Sequence, residues 1–222
     1  MQDVDFLATH QKATKRDYIG RVTQHDKAEC ATIAKQWGQD YWDGPRQYGY
    51  GGYTYRPGYW LPVARAMAEH YGLKAGNRVL DVGCGKAFLL YELTQAVPGL
   101  QVAGLDISKY GLDHAKDEIK PFLKLGHCRE LPFETNSFDY VFSINTFHNL
   151  EIFDLKKAVQ EVERVGKGTK KWICVESFRN EPEKANLLYW QLTCMSFYTP
   201  EAWTWLYKDW GYTGDYGFIY FE

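Results

Sequence analysis

No run of apolar residues in this sequence approaches the roughly 18 that a membrane-spanning helix needs. The stretch from Met1 to Gly20 is polar and charged, with no apolar core of a secretory signal. Cysteine is scarce: the 222 residues hold Cys30, Cys84, Cys128, Cys174 and Cys194. Five is an odd number, and no two stand at metal-ligand spacing, which argues against a disulfide framework and a structural zinc. Excess charge is lacking too, with 26 Lys and Arg against 28 Asp and Glu. A nearly balanced, dispersed charge leaves no basic footprint for a nucleic-acid backbone. The expectation is a cytoplasmic protein with reduced thiols, no bound metal, and neither nucleic acid nor membrane as partner.

What is abundant is aromatic. Phe, Trp and Tyr make up 17% of the residues, concentrated from Trp37 to Trp60 and from Tyr189 to Tyr220. Large rings fill cores, and they also line pockets for flat or sugar-like ligands. Exposed aromatics near the N-terminus could equally serve a homodimer contact.

The order of patterns defines the fold expected. Asp26 to Trp37 reads as helical. Gly44 to Gly58, rich in glycine and tyrosine, breaks all periodicity and is too aromatic for a flexible linker, so it is expected to be an ordered loop or lid. Leu61, Ala64, Ala68 and Tyr71 then recur at helical spacing up to a stop at Gly72. Beyond it, short apolar strands at Arg78–Val82, Gln101–Leu105, Phe122–Gly126, Phe138–Ile144 and Lys171–Glu176 alternate with helical segments. The first of these helices carries Phe88, Leu89, Leu93 and Val97, the second starts at Ser108, and the third is capped by Asp154. Such alternation implies an α/β, doubly wound, mostly parallel sheet with right-handed crossovers. Glu181 to Tyr198 reads as an inserted helix, Thr199 caps another with Pro200 at its first position, and Tyr212 to Glu222 is expected to form an antiparallel edge hairpin. The chain thus divides into N-terminal helices and aromatic lid over 1–72 and a core over 73–222, with the helical insertion around 181–211, all within one compact domain.

The most informative stretch is Val79-Leu80-Asp81-Val82-Gly83-Cys84-Gly85-Lys86-Ala87. A glycine turn from strand to helix lets a ligand approach the backbone closely. A dinucleotide fingerprint requires a further glycine three residues after the second, where Phe88 stands. Asp81 would also repel a pyrophosphate while favouring a ligand with positive charge. Asp106, at the end of the next strand, is placed to accept from both hydroxyls of a ribose.

These residues, together with Leu131-Pro132-Phe133 and Asn136-Ser137-Phe138-Asp139, make the chain resemble the class I, Rossmann-like or seven-stranded, S-adenosylmethionine-dependent methyltransferases of the small-molecule type. The resemblance covers Val79 to Glu176 and implies a seven-stranded sheet. It also implies that Asp81, Gly83 and Gly85 hold the methionine end and that Asp106 binds the ribose. His127 stands where many members carry an aspartate for the adenine amino group, leaving Cys128, through its backbone N–H, as the adenine candidate. Cys84, Ile107 and Asn145 complete the expected cofactor-binding set. Ala87 replaces the third glycine of many members. The aromatic N-terminal segment and the insertion after Glu176 are also similar to methyltransferases acting on bacterial surface-polysaccharide precursors.

Methyl transfer to a hydroxyl needs alignment and a proton acceptor. His148, just after the fourth strand, is the candidate base; its alternative is a histidine that fixes its loop by hydrogen bonds. Glu176, at the end of the fifth strand, could be a base, orient a hydroxyl, or pair with Arg179. Arg179, Lys184, Arg46 and Arg56 could meet an anionic group on a substrate. Tyr48, Tyr50, Tyr53 and Tyr55 could close as a lid, or form a packed strap. Cys84 has no adjoining histidine and is not expected to act as a nucleophile. The expected reaction is O-methylation of a sugar-like or phosphorylated small molecule. N-methylation and a non-catalytic cofactor-binding module remain alternatives, and Asp81 and Phe88 disfavour a nicotinamide oxidoreductase.

Overall fold

A computed structural model describes residues 1–8, 10 and 16–222. Its centre is a sheet whose strands are short and apolar because they are covered on both faces. The strands are β1 (Arg78–Val82), β2 (Gln101–Asp106), β3 (Leu123–Leu125), β4 (Tyr140–Ile144), β5 (Lys171–Glu176) and β6 (Asp215–Ile219), in the order β3-β2-β1-β4-β5-β6. All five neighbouring pairs are parallel. β1 has β2 on one side and β4 on the other, so the chain direction of successive crossovers reverses there. That opens a crevice beyond the strands' carboxyl ends.

Helices cover both faces. On one side α4 (Leu61–Tyr71) and α5 (Phe88–Ala96) bury Val63, Met67, Leu90 and Leu93 against Val79, Tyr140 and Trp172. On the other, α7 (Ile152–Val165) and α9 (Pro200–Asp209) bury Leu155, Val159, Val162, Trp203 and Tyr207 against Leu80, Val141 and Ile173. Three short helices precede them, α1 (Tyr18–Thr23), α2 (Lys27–Ala34) and α3 (Gln39–Trp42), while α6 (Lys109–Asp113) follows β2 and α8 (Glu181–Trp190) follows β5.

The sheet differs from expectation at its far edge. The described residues form six strands, not seven, and the tail is a single parallel strand rather than an antiparallel hairpin. Helix α9 carries the chain back along the sheet, Gly211 turns it at φ +77°, and β6 therefore enters in the direction of β5. The outer edge of β6 is occupied from elsewhere: Asp3 bridges Tyr216 in parallel, with Val4 N–H donating to Tyr216 O and Tyr216 N–H to Gln2 O. This covers an edge that would otherwise expose unpaired backbone.

Three smaller differences have local causes. Phe138 forms only an isolated bridge to Gly166, so β4 begins at Tyr140. Glu151, not Asp154, occupies the N-cap of α7; Asp154 sits in the first turn and pairs with Arg129 at 2.9 Å. The inserted helix stops at Trp190 rather than Tyr198 because Gln191 turns extended and sends its side chain to Glu176. Thr199 caps α9 as expected, accepting from Ala202 N–H.

Candidate active site

The glycine turn after β1 is tight for reasons visible in its neighbours. Gly83 and Gly85 have φ of +85° and +54°. A Cβ at Gly83 would run into the Thr146 side chain, and one at Gly85 would lie 2.5 Å from the Trp42 ring. The N–H groups of Gly83 and Cys84 both donate to Leu105 O, which ties the turn to the end of β2. Asp106 accepts from Gly85 N–H and Ser108 N–H, each at 2.7 Å. Burial pushes its carboxyl above the usual carboxylate range, and the backbone donors work against that. Asp81 is also buried, and burial plus the nearby Asp106 charge push its carboxyl well above the usual range. Two carboxylates pressed together in this way favour a cationic or donor-rich ligand.

The crevice beside this turn has a volume of about 180 Å³. Gly83, Asp106, Ile107, His127, Cys128 and Asn145 all line it. The fold therefore brings together six of the nine residues expected at the cofactor. Asp81, Cys84 and Gly85 lie directly behind, with Cys84 Sγ packed where a Cβ on Gly104 would be. Burial holds the Cys84 thiol well above its usual range and the Cys128 thiol up at about 12. Both stay protonated, so neither is a nucleophile.

Asn145 shows strain where function is expected. It is left-handed at φ +55°, and its buried Oδ1 has no hydrogen-bond partner. An orphaned buried acceptor on a cavity wall is a place for a ligand donor.

The roof of the crevice comes from Trp37, Tyr41, Trp42 and Tyr50. Trp42 stacks on Tyr50 with centroids 5.2 Å apart and donates from Nε1 to Ser108 Oγ at 2.8 Å. Ser108 Oγ in turn donates to Trp37 O. The roof is clamped to the turn by Lys86, whose Nζ reaches both oxygens of Asp43, at 2.7 and 2.6 Å, and Tyr53 O at 2.8 Å. Asp43 also accepts from Tyr53 N–H and Tyr110 OH. Partial burial pushes the Asp43 carboxyl up, but these donors together hold it below its ordinary value. Lys86 is only 3% exposed. Neither Lys86 nor Asp43 was anticipated; the signal available was a lysine inside a glycine turn, between residues that have to be buried.

A second cavity, of about 370 Å³, shares Tyr41, Tyr50, Ile144, Asn145 and Asn149 with the first. His148 and Glu176 meet on its wall. The Glu176 backbone N–H donates to His148 Nδ1 at 3.2 Å, so the imidazole proton sits on Nε2, which faces Glu176 Oε2 at 3.4 Å. Gln191 Nε2 donates to Glu176 Oε1, while Oε2 is buried with no hydrogen-bond partner. Burial pushes His148 down to about 3 and Glu176 up to about 8. The pair is thus a neutral imidazole beside a carboxyl that titrates close to neutrality.

The four lid tyrosines do not share one side. Tyr50 and Tyr53 line the second cavity. Tyr48 packs beside Cys30, Ala34 and Leu192, and Tyr55 OH donates to Glu92 at 2.7 Å. Arg179 is outside both cavities, bound to Glu183 and Glu222 and lying 4.0 Å over the Tyr220 ring. Among the described residues, no group of three His, Cys, Asp or Glu could hold a metal ion. No described helix is long and apolar enough to cross a membrane.

Residues 80–173, which span β1 to the middle of β5 and include the crevice floor, match the family described as "Methyltransferase domain". The match covers 94 of the 222 residues, less than half of the chain, and makes this segment similar to methyltransferase domains. Class I methyltransferases use S-adenosylmethionine, and the matched segment contains the glycine turn and Asp106. The chain is similar to the demethylmenaquinone methyltransferase of Bacillus cytotoxicus, at 37% identity over 47% of this chain and 46% of that protein. It is also similar to the sterol 24-C-methyltransferase of Pneumocystis carinii, at 29% identity over 55% of this chain and 35% of that protein. The chain spans half or less of the length of these relatives. Among solved structures, the YcgJ protein of Bacillus subtilis shares the fold, with 22% identity, a TM-score of 0.56 and coverage of 66% of each chain.

Proposed function

We propose that this protein transfers a methyl group from S-adenosylmethionine to a hydroxyl of a small molecule held in the second cavity. The observation that carries the reading is the pairing of His148 with Glu176 on a wall next to the cofactor crevice, separated from it only by the residues the two cavities share. The site fits the cofactor: Asp106 and the glycine turn offer a donor-seeking rim, and the Asn145 Oδ1 orphan offers an acceptor at the junction. When bound there, S-adenosylmethionine supplies an electrophilic methyl carbon on sulfur.

The protein's own part is alignment, exclusion of water by the aromatic roof, and removal of a proton. Glu176 is the better base of the pair, because His148 already spends Nδ1 on a backbone N–H and carries its proton on Nε2. With Glu176 titrating at about 8, about a tenth of it is ionised at pH 7. That fraction is a much stronger base than an ordinary carboxylate. With the donor held at Asp106 and the glycine turn, its sulfonium would supply the methyl group to the acceptor oxygen and keep the bonding pair on sulfur, and Glu176 Oε2 would take the proton that the hydroxyl loses. His148 positions Glu176 and disperses the charge it holds when ionised.

A carbon acceptor is the second reading, favoured by the names of the relatives, one of which methylates a sterol at carbon 24. Yet much of the second cavity's wall, including Leu7, Trp60 and Trp190, lies outside the span shared with the family. The relatives therefore speak for the donor more than for the acceptor. Calorimetry with S-adenosylhomocysteine tests the cofactor: micromolar binding is expected, and binding of NAD in its place would overturn the reading. Mass spectrometry of a labelled product would separate oxygen from carbon methylation.

A further inference from the structure

The second cavity carries an unusual concentration of arginine. Arg16, Arg21, Arg46 and Arg56 all line it. Three of them converge on one ring: the guanidinium carbons of Arg21 and Arg46 each lie 5.0 Å from the centre of Trp190, and that of Arg16 lies 5.8 Å from it and 4.6 Å from Phe221. Aromatic faces attract cations and hold them in a set plane, which leaves the edges of each fork to bind something else.

No salt bridge among the described residues neutralises these charges; the opposing group on this wall is Glu176, which feels the charge of Arg16 alone of the three. Among the described residues, Arg16, Arg21 and Arg46 form no ion pair, whereas Arg129, Arg164 and Arg179 each have a carboxylate partner. Arg21 uses Nε on Trp190 O and one terminal nitrogen on Arg46 O, and Arg46 uses one terminal nitrogen on Gly49 O. These are backbone carbonyls, which fix the side chains without balancing them. Burial and the Arg46 charge lower Arg21, and burial and the Arg16 charge weigh on Arg46 in the same sense. Three cations held near one another against their repulsion, at a cavity wall, are what an anionic ligand would relieve.

We propose that Arg16, Arg21 and Arg46 form a phosphate subsite around Trp190, so that the methyl acceptor is a small phosphorylated hydroxyl compound. This rests on reading the second cavity as the acceptor side. A phosphate is favoured over a carboxylate by charge: one carboxylate would leave two of the three guanidiniums unmatched, while a phosphate monoester carries about −1.5 to −2 at neutral pH and several acceptor oxygens for forked donors. An apolar quinone or sterol would leave all three charges without a partner in a partly enclosed cavity.

The test uses the full chain at constant ionic strength. Inorganic phosphate, glycerol 3-phosphate, glycerol and acetate are titrated separately by thermal shift and calorimetry, with S-adenosylhomocysteine binding measured in parallel. Phosphate and glycerol 3-phosphate are expected to bind, with glycerol and acetate at least tenfold weaker. Arg46→Gln, at the exposed mouth, and Arg21→Gln are each expected to weaken phosphate tenfold or more while leaving S-adenosylhomocysteine affinity within about twofold. Arg46→Lys should keep part of the loss from appearing, since it retains the charge but not the fork. Equal phosphate affinity in wild type and Arg46→Gln, or acetate binding as tightly as phosphate, would overturn the subsite. Phosphate binding without S-adenosylhomocysteine binding would instead sink the methyl-transfer reading and leave the subsite standing.

Discussion

The two cavities share a wall but are built in opposite ways. The cofactor crevice has its floor on strand ends and the turns that follow them: Gly83, Asp106 and Asn145 are tied by backbone hydrogen bonds to the neighbouring strand or its following turn, and His127 lies in a turn where its carbonyl accepts from Glu130 N–H. The larger cavity is assembled from distant pieces: Leu7, His10, Arg16 and Arg21, residues between 41 and 60, the His148 turn, the end of β5, the end of α8 with the stretch after it, and Phe221. A rigid floor suits a ligand common to a whole family, and a mosaic wall suits a ligand particular to one member. The family match ends at residue 173, within β5, while the wall of the larger cavity continues beyond it.

The comparison can be broken most sharply at Glu176. Glu176→Gln should lower the methyl-transfer rate 100-fold or more, about 2.7 kcal/mol of barrier, with S-adenosylhomocysteine affinity unchanged in calorimetry. In the wild type, kcat should rise with pH through about 8, where Glu176 loses its proton, and the variant should lose that rise. The stability effect has the opposite sense. A carboxyl raised in the folded state stabilises it most below the unfolded value near 4.5, and that contribution drains away as pH climbs towards 8. Thermal melts at pH 8.5 should therefore show Glu176→Gln at or above the wild type, and a variant that melts lower at that pH would count against a charged, buried Glu176.

The crevice should respond in the complementary way. Asp106→Ala should weaken S-adenosylhomocysteine by about 10- to 100-fold, the scale of hydrogen bonds to a charged group. Inorganic phosphate binding in the same variant should stay as it was. Loss of both together would mean that the two cavities are not separable.

How far this contrast was legible in the sequence follows from the range of each interaction. β1 and β5 have the bounds expected from their apolar runs, and the glycine turn, Asp106 and Asn145 stand where a strand-turn-helix pattern puts them. The direction of β6 was not legible, because it depends on a crossover helix and on residues 2–4, more than 200 positions away. Nor was the state of His148, which is set by the backbone of Glu176, 28 residues on. The arginine cluster was hidden for the same reason: Arg16, Arg21 and Arg46 meet only because Trp190 ends α8 beneath them.

The clamp between the two halves gives a smaller effect. Lys86→Met should weaken S-adenosylhomocysteine only several-fold, because Trp42 still stacks and bonds to Ser108. It should, however, speed amide hydrogen exchange at residues 41–53, read by mass spectrometry; unchanged exchange would show that the roof is held by its rings alone. Smallest is Ala87→Gly. Ala87 is left-handed at φ +54° and buried. Relief of a strain of about 1–2 kcal/mol competes with the loss of about 0.8 kcal/mol for one buried methyl. The expected net gain in denaturant melts is at most about 1 kcal/mol, and a clear destabilisation would mean that the methyl packs better than its backbone suffers.

The Lys86–Asp43 contact has one further consequence. It fastens the roof to the glycine turn after β1, where the ion pair, the Tyr110 hydrogen bond and the Tyr53 contacts act together on Asp43 and Lys86. Admission and departure of a nucleoside would share that latch, so Lys86→Met is expected to speed product release in stopped-flow measurements.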